Sequence, residues 1–275
     1  MRIDDLRSTQ NVEDRRGGGF GFGGGSIVVG LIALAAAYFF GIDPSQILNG
    51  MGTGAPVSTN PGEPRSDDKA FDFARRIVGS AEDVWTPILK EKGVAFTPAT
   101  LTVYDTATPT SCGTGVSAAG PFYCPEDAHV YLDLSFFNEL ADRFGAPGQF
   151  AQAYVIAHEY GHHIQDLMGR MHDQDVQSRG AEGNSVRLEL QADCYAGVWA
   201  NRANKQFHIL QEGDVAGGLR AASAVGDDTI QQSQQGTVVP DSFTHGTSAQ
   251  RMRWFKRGLD GGDMDACDTF GASSL

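Results

Sequence analysis

The chain has 275 residues, of which 41% are hydrophobic, and this length and composition fit one or two globular domains with an ordinary core. Its formal net charge of −13 argues against a nucleic acid as partner, because neutralising phosphates requires an excess of Lys and Arg. We therefore interpret the acidic residues as a solvated surface.

An uncharged apolar run separates a polar N-terminus from the rest of the chain. Residues 1–19 are polar and arginine-rich, and residues 20–42 contain no charged side chain. A membrane-spanning helix requires about 20 largely apolar residues, which this run supplies only if its glycines are counted. Its strongly apolar part, 27–42, is somewhat short. A cleaved signal peptide would show an A-x-A site after the run, and a core helix would show polar positions at helical spacing. Neither is present, so we predict one transmembrane anchor over 20–42.

The charges around this run predict its orientation. Arginines precede it and none follows closely, so the positive-inside rule places residues 1–19 in the cytoplasm and the remainder in the periplasm or outside the cell. Residues 43–66 are rich in Pro, Gly, Ser and Thr, a composition typical of flexible linkers. One domain is expected over 67–275.

The first part of this domain predicts a long helix and two strands. Apolar residues at helical spacing predict a helix over 66–92, in which Pro87 can introduce a kink. Aromatic and β-branched residues predict strands over 99–105 and 128–134, joined by a loop over 106–125. If the second strand lies at a sheet edge it can bind an extended peptide by strand addition. An internal strand is equally consistent with the sequence.

The rest of the domain is predicted to be mainly helical, with polar connections between the helices. Apolar spacing predicts helices over 135–144, 150–168, 184–206, 212–226 and 248–259, and loops over 169–183 and 229–239.

The helix predicted over 150–168 contains the sequence H-E-Y-G-H at positions 158–162, an H-E-x-x-H signature. Residues four apart lie on one helix face, so His158 and His162 can direct two imidazoles at one zinc ion. Glu159 follows the first ligand and can act as general base toward a water at the open position of the metal.

The third metal ligand must come from elsewhere in the chain. The longer zincin pattern with a third His fails, because Gln165 and Met168 occupy the positions that require Gly and His. Glu189 is the best candidate, since Asp193 lies one helical turn further on and can accept the free N–H of a ligand imidazole. A solvated acidic face is the alternative, and Glu182 is a rival ligand.

A second candidate group surrounds His245. A His that donates a hydrogen bond to a developing oxyanion would complete a zinc peptidase site. Arg251 lies six residues further along and could anchor either an acidic neighbour or the substrate backbone. An isolated surface His is the alternative interpretation.

The four cysteines lack C-x-x-C spacing, so a cysteine-based zinc site is not indicated. Two disulfides can form among them, in any of three pairings that the sequence does not distinguish. Four buried thiols are the alternative. The candidates are Cys112, Cys124, Cys194 and Cys267.

Four segments resemble a bacterial family of neutral zinc metallopeptidases with a single N-terminal anchor. They are F-Y-C-P at 122–125, V-Y-L-D at 130–133, A-H-E-Y-G-H-H-I-Q at 157–165 and E-L-Q-A-D-C at 189–194. The resemblance implies that Glu189 is the third ligand of one zinc ion. It also implies an α+β fold, in which a mainly helical zincin-like domain with a small β-sheet follows one transmembrane helix.

The same residues are more distantly similar to the gluzincins of the CAAX-prenyl-protease type. That group combines H-E-x-x-H and E-x-x-x-D with a His followed six residues later by an Arg, a separation kept here by His245 and Arg251. The similarity implies that His245 is catalytic. Gly246 departs from the group, which usually has Pro there, and the several membrane spans of the prenyl-protein enzymes are missing.

These observations predict a membrane-anchored zinc endopeptidase that cleaves a peptide or protein substrate. The alternative is an envelope binding or chaperone-like protein with a structural zinc site, which the presence of Glu159 disfavours. A zinc hydrolase of non-peptide amides is a third possibility. The sequence leaves the natural substrate and the oligomeric state open.

Overall fold

The structure is a computed structural model that describes residues 1–17, 67–172 and 177–275. Its class is α+β, and each of the six helices predicted for the domain begins and ends within two residues of its predicted bounds. The helices are α1 (Asp68–Glu91), α2 (Phe136–Asp142), α3 (Gln149–Leu167), α4 (Asn184–Phe207), α5 (Asp214–Ala224), α6 (Asp227–Gln235) and α7 (Ser248–Gly261).

A four-stranded sheet with the order β1-β2-β6-β5 packs beside the helices. β1 and β2 are parallel, β2 and β6 are parallel, and β5 runs antiparallel to β6. The second predicted strand, β6, is therefore internal, and β5 is an edge strand among the described residues. The strands are β1 (Val12–Asp14), β2 (Thr100–Val103), β3 (Ala107–Thr110), β4 (Gly113–Val116), β5 (Phe122–Cys124) and β6 (His129–Leu132).

Two segments predicted as loops contain regular structure. Within 106–125, β3 and β4 form an antiparallel hairpin and β5 follows it. These strands have three or four residues, too few to produce a clear alternation in the sequence. Helix α6 occupies most of the predicted loop 229–239. Its Gln- and Ser-rich sequence shows no apolar residues at helical spacing, because Asp227 is its only buried residue.

Helix α3 lies at the centre of the fold and packs against α1, α4 and α5. A Cβ atom at Gly161 would lie only 3.1 Å from the carbonyl oxygen of Ala192 on α4. A Cβ at Gly258 of α7 would lie 1.9 Å from the carbonyl oxygen of Cys194, also on α4. These two glycines let three helix backbones approach closely, which brings α4 between α3 and α7.

Residues 1–17 are part of the domain. Leu6 is 2% exposed and belongs to the hydrophobic core, and β1 pairs with β2. The buried carboxylate of Glu82 on α1 accepts hydrogen bonds from Thr9 Oγ1 (2.5 Å), Asn11 Nδ2 (3.0 Å) and Arg7 Nη2 (2.7 Å). Three donors on one buried carboxylate fix this segment against α1.

The predicted transmembrane helix and membrane location require correction. Within 1–17, 67–172 and 177–275, no helix has both the length and the apolar character needed to span a membrane. The predicted anchor, 20–42, and linker, 43–66, lie outside the described residues. The prediction placed residues 1–19 in the cytoplasm and the domain on the other side of the membrane. The pairing of β1 with β2 is incompatible with that arrangement, because it puts the N-terminal segment and the domain in one sheet. Arg16 Nη1 also lies 3.0 Å from Asp67 Oδ1, so the two ends that one span would separate are in contact.

All four cysteines are paired, which resolves the pairing that the sequence left open. Cys112, in the turn of the β3-β4 hairpin, is bonded to Cys124 at the end of β5. Cys194 of α4 is bonded to Cys267 in a C-terminal 3-10 turn. The first disulfide anchors the edge strand, and the second anchors the C-terminal segment to α4.

Candidate metal centre and active-site cleft

Three predicted ligands surround a common point between α3 and α4. One donor atom from each of His158, His162 and Glu189 lies within 4.8 Å of the other two. His158 Nε2 is 3.2 Å from Glu189 Oε2, and His162 Nε2 is 3.4 Å from Glu189 Oε1. A tetrahedral zinc ion with bonds of about 2.0–2.1 Å separates its ligand atoms by roughly 3.4 Å. Two imidazoles and a carboxylate at these separations fit zinc.

A buried acid orients the first imidazole. His158 Nδ1 donates to Asp193 Oδ1 over 2.8 Å, which leaves Nε2 for a metal. Arg251 makes a bidentate contact with the same carboxylate, from Nε to Oδ2 (2.8 Å) and from Nη2 to Oδ1 (2.9 Å). The hydroxyl of Tyr154 also donates to Asp193 Oδ1. Of the sequence alternatives, Asp193 therefore contacts His158 rather than His162, and Arg251 anchors an acidic neighbour.

Burial and neighbouring charges shift the pKa values of Asp193 and His158 in opposite directions. Burial raises the pKa of Asp193, but Arg251 and His158 outweigh it and the pKa is lowered. Burial lowers the pKa of His158, but Asp193 and Glu189 outweigh it and raise the pKa to about 10. His158 therefore carries a proton at neutral pH in the metal-free protein, and metal binding must release that proton.

Glu159 lies in the same buried environment, 9% exposed. Burial raises its pKa, and the neighbouring imidazoles His158 and His162 oppose that effect. A higher pKa makes this carboxylate a stronger base than an ordinary Glu.

His245 is held by Asp227, a residue that the sequence did not single out. Asp227 Oδ2 accepts the backbone N–H groups of Thr244 (2.8 Å), His245 (2.6 Å) and Gly246 (3.0 Å). Asp227 Oδ1 lies 3.2 Å from His245 Nδ1. Desolvation lowers the pKa of His245, but the Asp227 hydrogen bond and the charge of Glu189 raise it overall. A protonated His245 with Nδ1 held in this way can donate from Nε2.

A glycine forms the turn after His245. Gly246 has φ of +89°, which Pro cannot adopt because its ring fixes φ near −65°. The helix that follows begins with a capping box between Thr247 and Gln250. This turn and helix place Arg251 beside Asp193.

A cavity of about 420 Å³ opens onto the candidate metal ligands. His158, Glu159, His162, Glu189 and His245 all line it. The cavity walls are largely apolar and include residues 118–123, so the edge strand β5 lines the same cavity as the candidate metal ligands. Other apolar wall residues are Phe136, Phe144, Val155, Met171, Val225 and Ile230.

Two His and one Glu around a common point, with a second Glu beside them, are typical of zinc metallopeptidases, and sequence comparison agrees with that class of protein. Residues 1–270 match the family described as "Putative neutral zinc metallopeptidase", and the chain belongs to that family. The match includes the N-terminal segment that carries β1. No solved structure matches the chain.

Two relatives illustrate how far the similarity extends. The chain is 45% identical over 289 aligned residues to the uncharacterized protein YpfJ of Escherichia coli (strain K12), covering 99% of this chain and 100% of the relative. It is 40% identical over 257 residues to the uncharacterized protein Rv2575 of Mycobacterium tuberculosis (strain ATCC 25618 / H37Rv), covering 87% of this chain and 86% of the relative.

Proposed function

We propose that this protein is a zinc-dependent endopeptidase with one zinc ion held by His158, His162 and Glu189. The observation that carries the proposal is the convergence of these three donors beside Glu159 in one cavity. A purely structural zinc site has no need of a carboxylate base that faces the same cavity as the metal.

Zinc at this position supplies a Lewis acid that polarises a peptide carbonyl and acidifies water. The carboxylate of Glu159 accepts a proton from the attacking water and passes it to the leaving amide nitrogen. His245, which Asp227 holds through Nδ1, would donate a hydrogen bond from Nε2 to the developing oxyanion. Asp193 and Arg251 do not touch substrate in this scheme, and they hold His158 in position.

The substrate is proposed to be an extended segment of a peptide or protein. Strand β5 borders the cavity, and its far edge has no partner strand among the described residues. An extended chain can pair with such an edge, which supplies main-chain hydrogen bonds irrespective of sequence. The apolar wall formed by Phe136, Phe144 and Val155 favours an apolar side chain near the scissile bond.

Metal removal tests this function. The purified protein is expected to contain one zinc per chain and to hydrolyse a mixture of unstructured peptides, which mass spectrometry can follow. Chelation should abolish hydrolysis, and one equivalent of zinc should restore it. A protein that binds zinc at this site but cleaves no peptide would support the binding-protein alternative instead.

Replacing His245 by Ala tests the proposed oxyanion contact. We expect kcat to fall by about 10²-fold, because zinc carries only part of the oxyanion charge and one donor is lost. Zinc affinity should stay unchanged, since His245 is not among the three ligands. His208 caps the C-terminus of α4 away from the cavity, and His208→Ala is a matched control that should leave kcat unchanged. A His245→Ala protein with wild-type kcat contradicts this role.

A further inference from the structure

The second ligand imidazole, His162, is oriented by an amide on its own helix. His162 Nδ1 lies 2.8 Å from Gln165 Oε1, and the Gln165 side chain is completely buried. Gln165 Nε2 donates to the carbonyl oxygen of Leu188 (2.7 Å) and to Gln191 Oε1 (3.1 Å). Two acceptors around Nε2 fix the amide orientation, so Oε1 must accept from His162 Nδ1. His162 Nε2 is then free to bind a metal.

The hydrogen bonds continue from Gln165 to a disulfide. Gln191 is 4% exposed, and its Nε2 donates to the carbonyl oxygen of Cys267 over 3.0 Å. Cys267 is bonded to Cys194, which lies three residues after Gln191 on α4. The metal ligand, the two amides and the disulfide therefore form one connected buried group that we call the amide relay (His162, Gln165, Gln191 and the Cys194–Cys267 bond).

We propose that Gln165 and Gln191 are positioning residues of the metal site, through which the Cys194–Cys267 disulfide holds His162 in its metal-binding orientation. Asp193 fixes the orientation of His158 through a charged contact. The amide relay fixes the orientation of His162 through neutral groups. Second partners of metal-bound imidazoles typically change metal affinity by 10–100-fold when removed. The proposal rests on the proposed zinc site but does not depend on peptide hydrolysis.

The C-terminal segment has anchors besides this disulfide. Arg187 Nη1 donates to the carbonyl oxygens of Thr269 (2.5 Å) and Ala272 (3.0 Å), and Thr269 Oγ1 donates to the carbonyl oxygen of Arg187 (2.6 Å). A variant without the disulfide should therefore stay folded and lose the alignment of Cys267 rather than the whole segment. This makes the disulfide itself a usable test position.

Zinc affinity, measured by competition with a chelator of known affinity, is the readout. Gln165→Met keeps the side-chain length and removes the acceptor, and it should weaken zinc binding by tenfold or more. Gln191→Met leaves the His162–Gln165 contact and should weaken binding by about threefold to tenfold. In the double variant the losses should be less than additive in free energy, because both act on one connected group.

Two controls separate positioning from general destabilisation. Gln231 is a half-buried Gln outside the cavity lining that donates to Ser242 Oγ (3.0 Å) and accepts from Val239 N (2.8 Å), and Gln231→Met should leave zinc affinity unchanged. Removing Cys194–Cys267 by alanine substitution should weaken zinc binding, whereas removing Cys112–Cys124 should not.

Each outcome supports or overturns the relay. Zinc affinity unchanged in Gln191→Met, or fully additive losses in the double variant, would overturn it while leaving the zinc site intact. A wild-type protein that binds no zinc would overturn both the relay and the proposed function. Reduced affinity confined to the relay variants supports the proposal.

Discussion

Glu159→Gln is expected to lower kcat for peptide hydrolysis by about 10³-fold while one zinc ion remains bound. The amide has the size of the carboxylate but cannot accept a proton from water. The ligands His158, His162 and Glu189 are unchanged, so zinc affinity should stay close to that of the wild type. Single-turnover hydrolysis of a peptide, together with metal content, measures both quantities.

Glu139→Gln provides the matched control for this substitution. Glu139 lines the same cavity, on α2, but is not among the candidate metal ligands. The same loss of one negative charge there should leave kcat within about threefold of wild type, since no proton transfer is affected. A zinc-loaded Glu159→Gln protein that hydrolyses peptides as fast as wild type would exclude Glu159 as general base.

Asp193→Asn is expected to have the largest effect on stability. Asp193 is completely buried and compensates the buried guanidinium of Arg251. Removing one member of a buried ion pair leaves the other charge uncompensated, which costs about 3–5 kcal/mol of unfolding free energy. Zinc affinity should also fall by about 10–100-fold, because His158 loses a charged acceptor. Denaturant unfolding of the metal-free protein and chelator competition measure the two effects.

An exposed ion pair is the control for Asp193→Asn, and the pH dependence of stability is a second test of the same carboxylate. Asp260→Asn removes the partner of Lys256, a pair whose side chains are 62% and 59% exposed, and it should cost less than about 1 kcal/mol. Because the pKa of Asp193 lies below its ordinary value of 3.8, its stabilising contribution is present above about pH 4 and is lost as the pH falls further. Equal effects of Asp193→Asn and Asp260→Asn would contradict a buried ion pair that stabilises the site.

Helices were predictable from the sequence because their signal is local. In α1 and α4, apolar residues recur at helical spacing over many turns, and both helices end within two residues of prediction. The H-E-x-x-H motif belongs to the same kind of signal, since helix geometry alone puts His158 and His162 on one face. Gln165 was also accessible in this way, because it lies three residues after His162 on the same helix.

Short and polar elements escaped prediction because neighbours stabilise them. Strand β5 has three residues and owes its conformation to pairing with β6 and to the Cys112–Cys124 bond. Helix α6 buries one of its residues, Asp227 at its start, beneath the turn that carries His245. Asp227 and His245 are 18 positions apart, a separation with no spacing pattern that the sequence could reveal.

By itself, the sequence determined the α+β class, the bounds of the long helices and the pair of imidazoles beside Glu159, because each depends on residues within a few positions. Only the tertiary structure decided that the Glu189 carboxylate lies beside both imidazoles, that Asp193 accepts a hydrogen bond from His158, and which cysteines pair. It also decided that residues 1–17 belong to the domain, through contacts such as Thr9 to Glu82 across 73 positions. Contacts of this length depend on how the helices and strands pack, which local spacing does not encode.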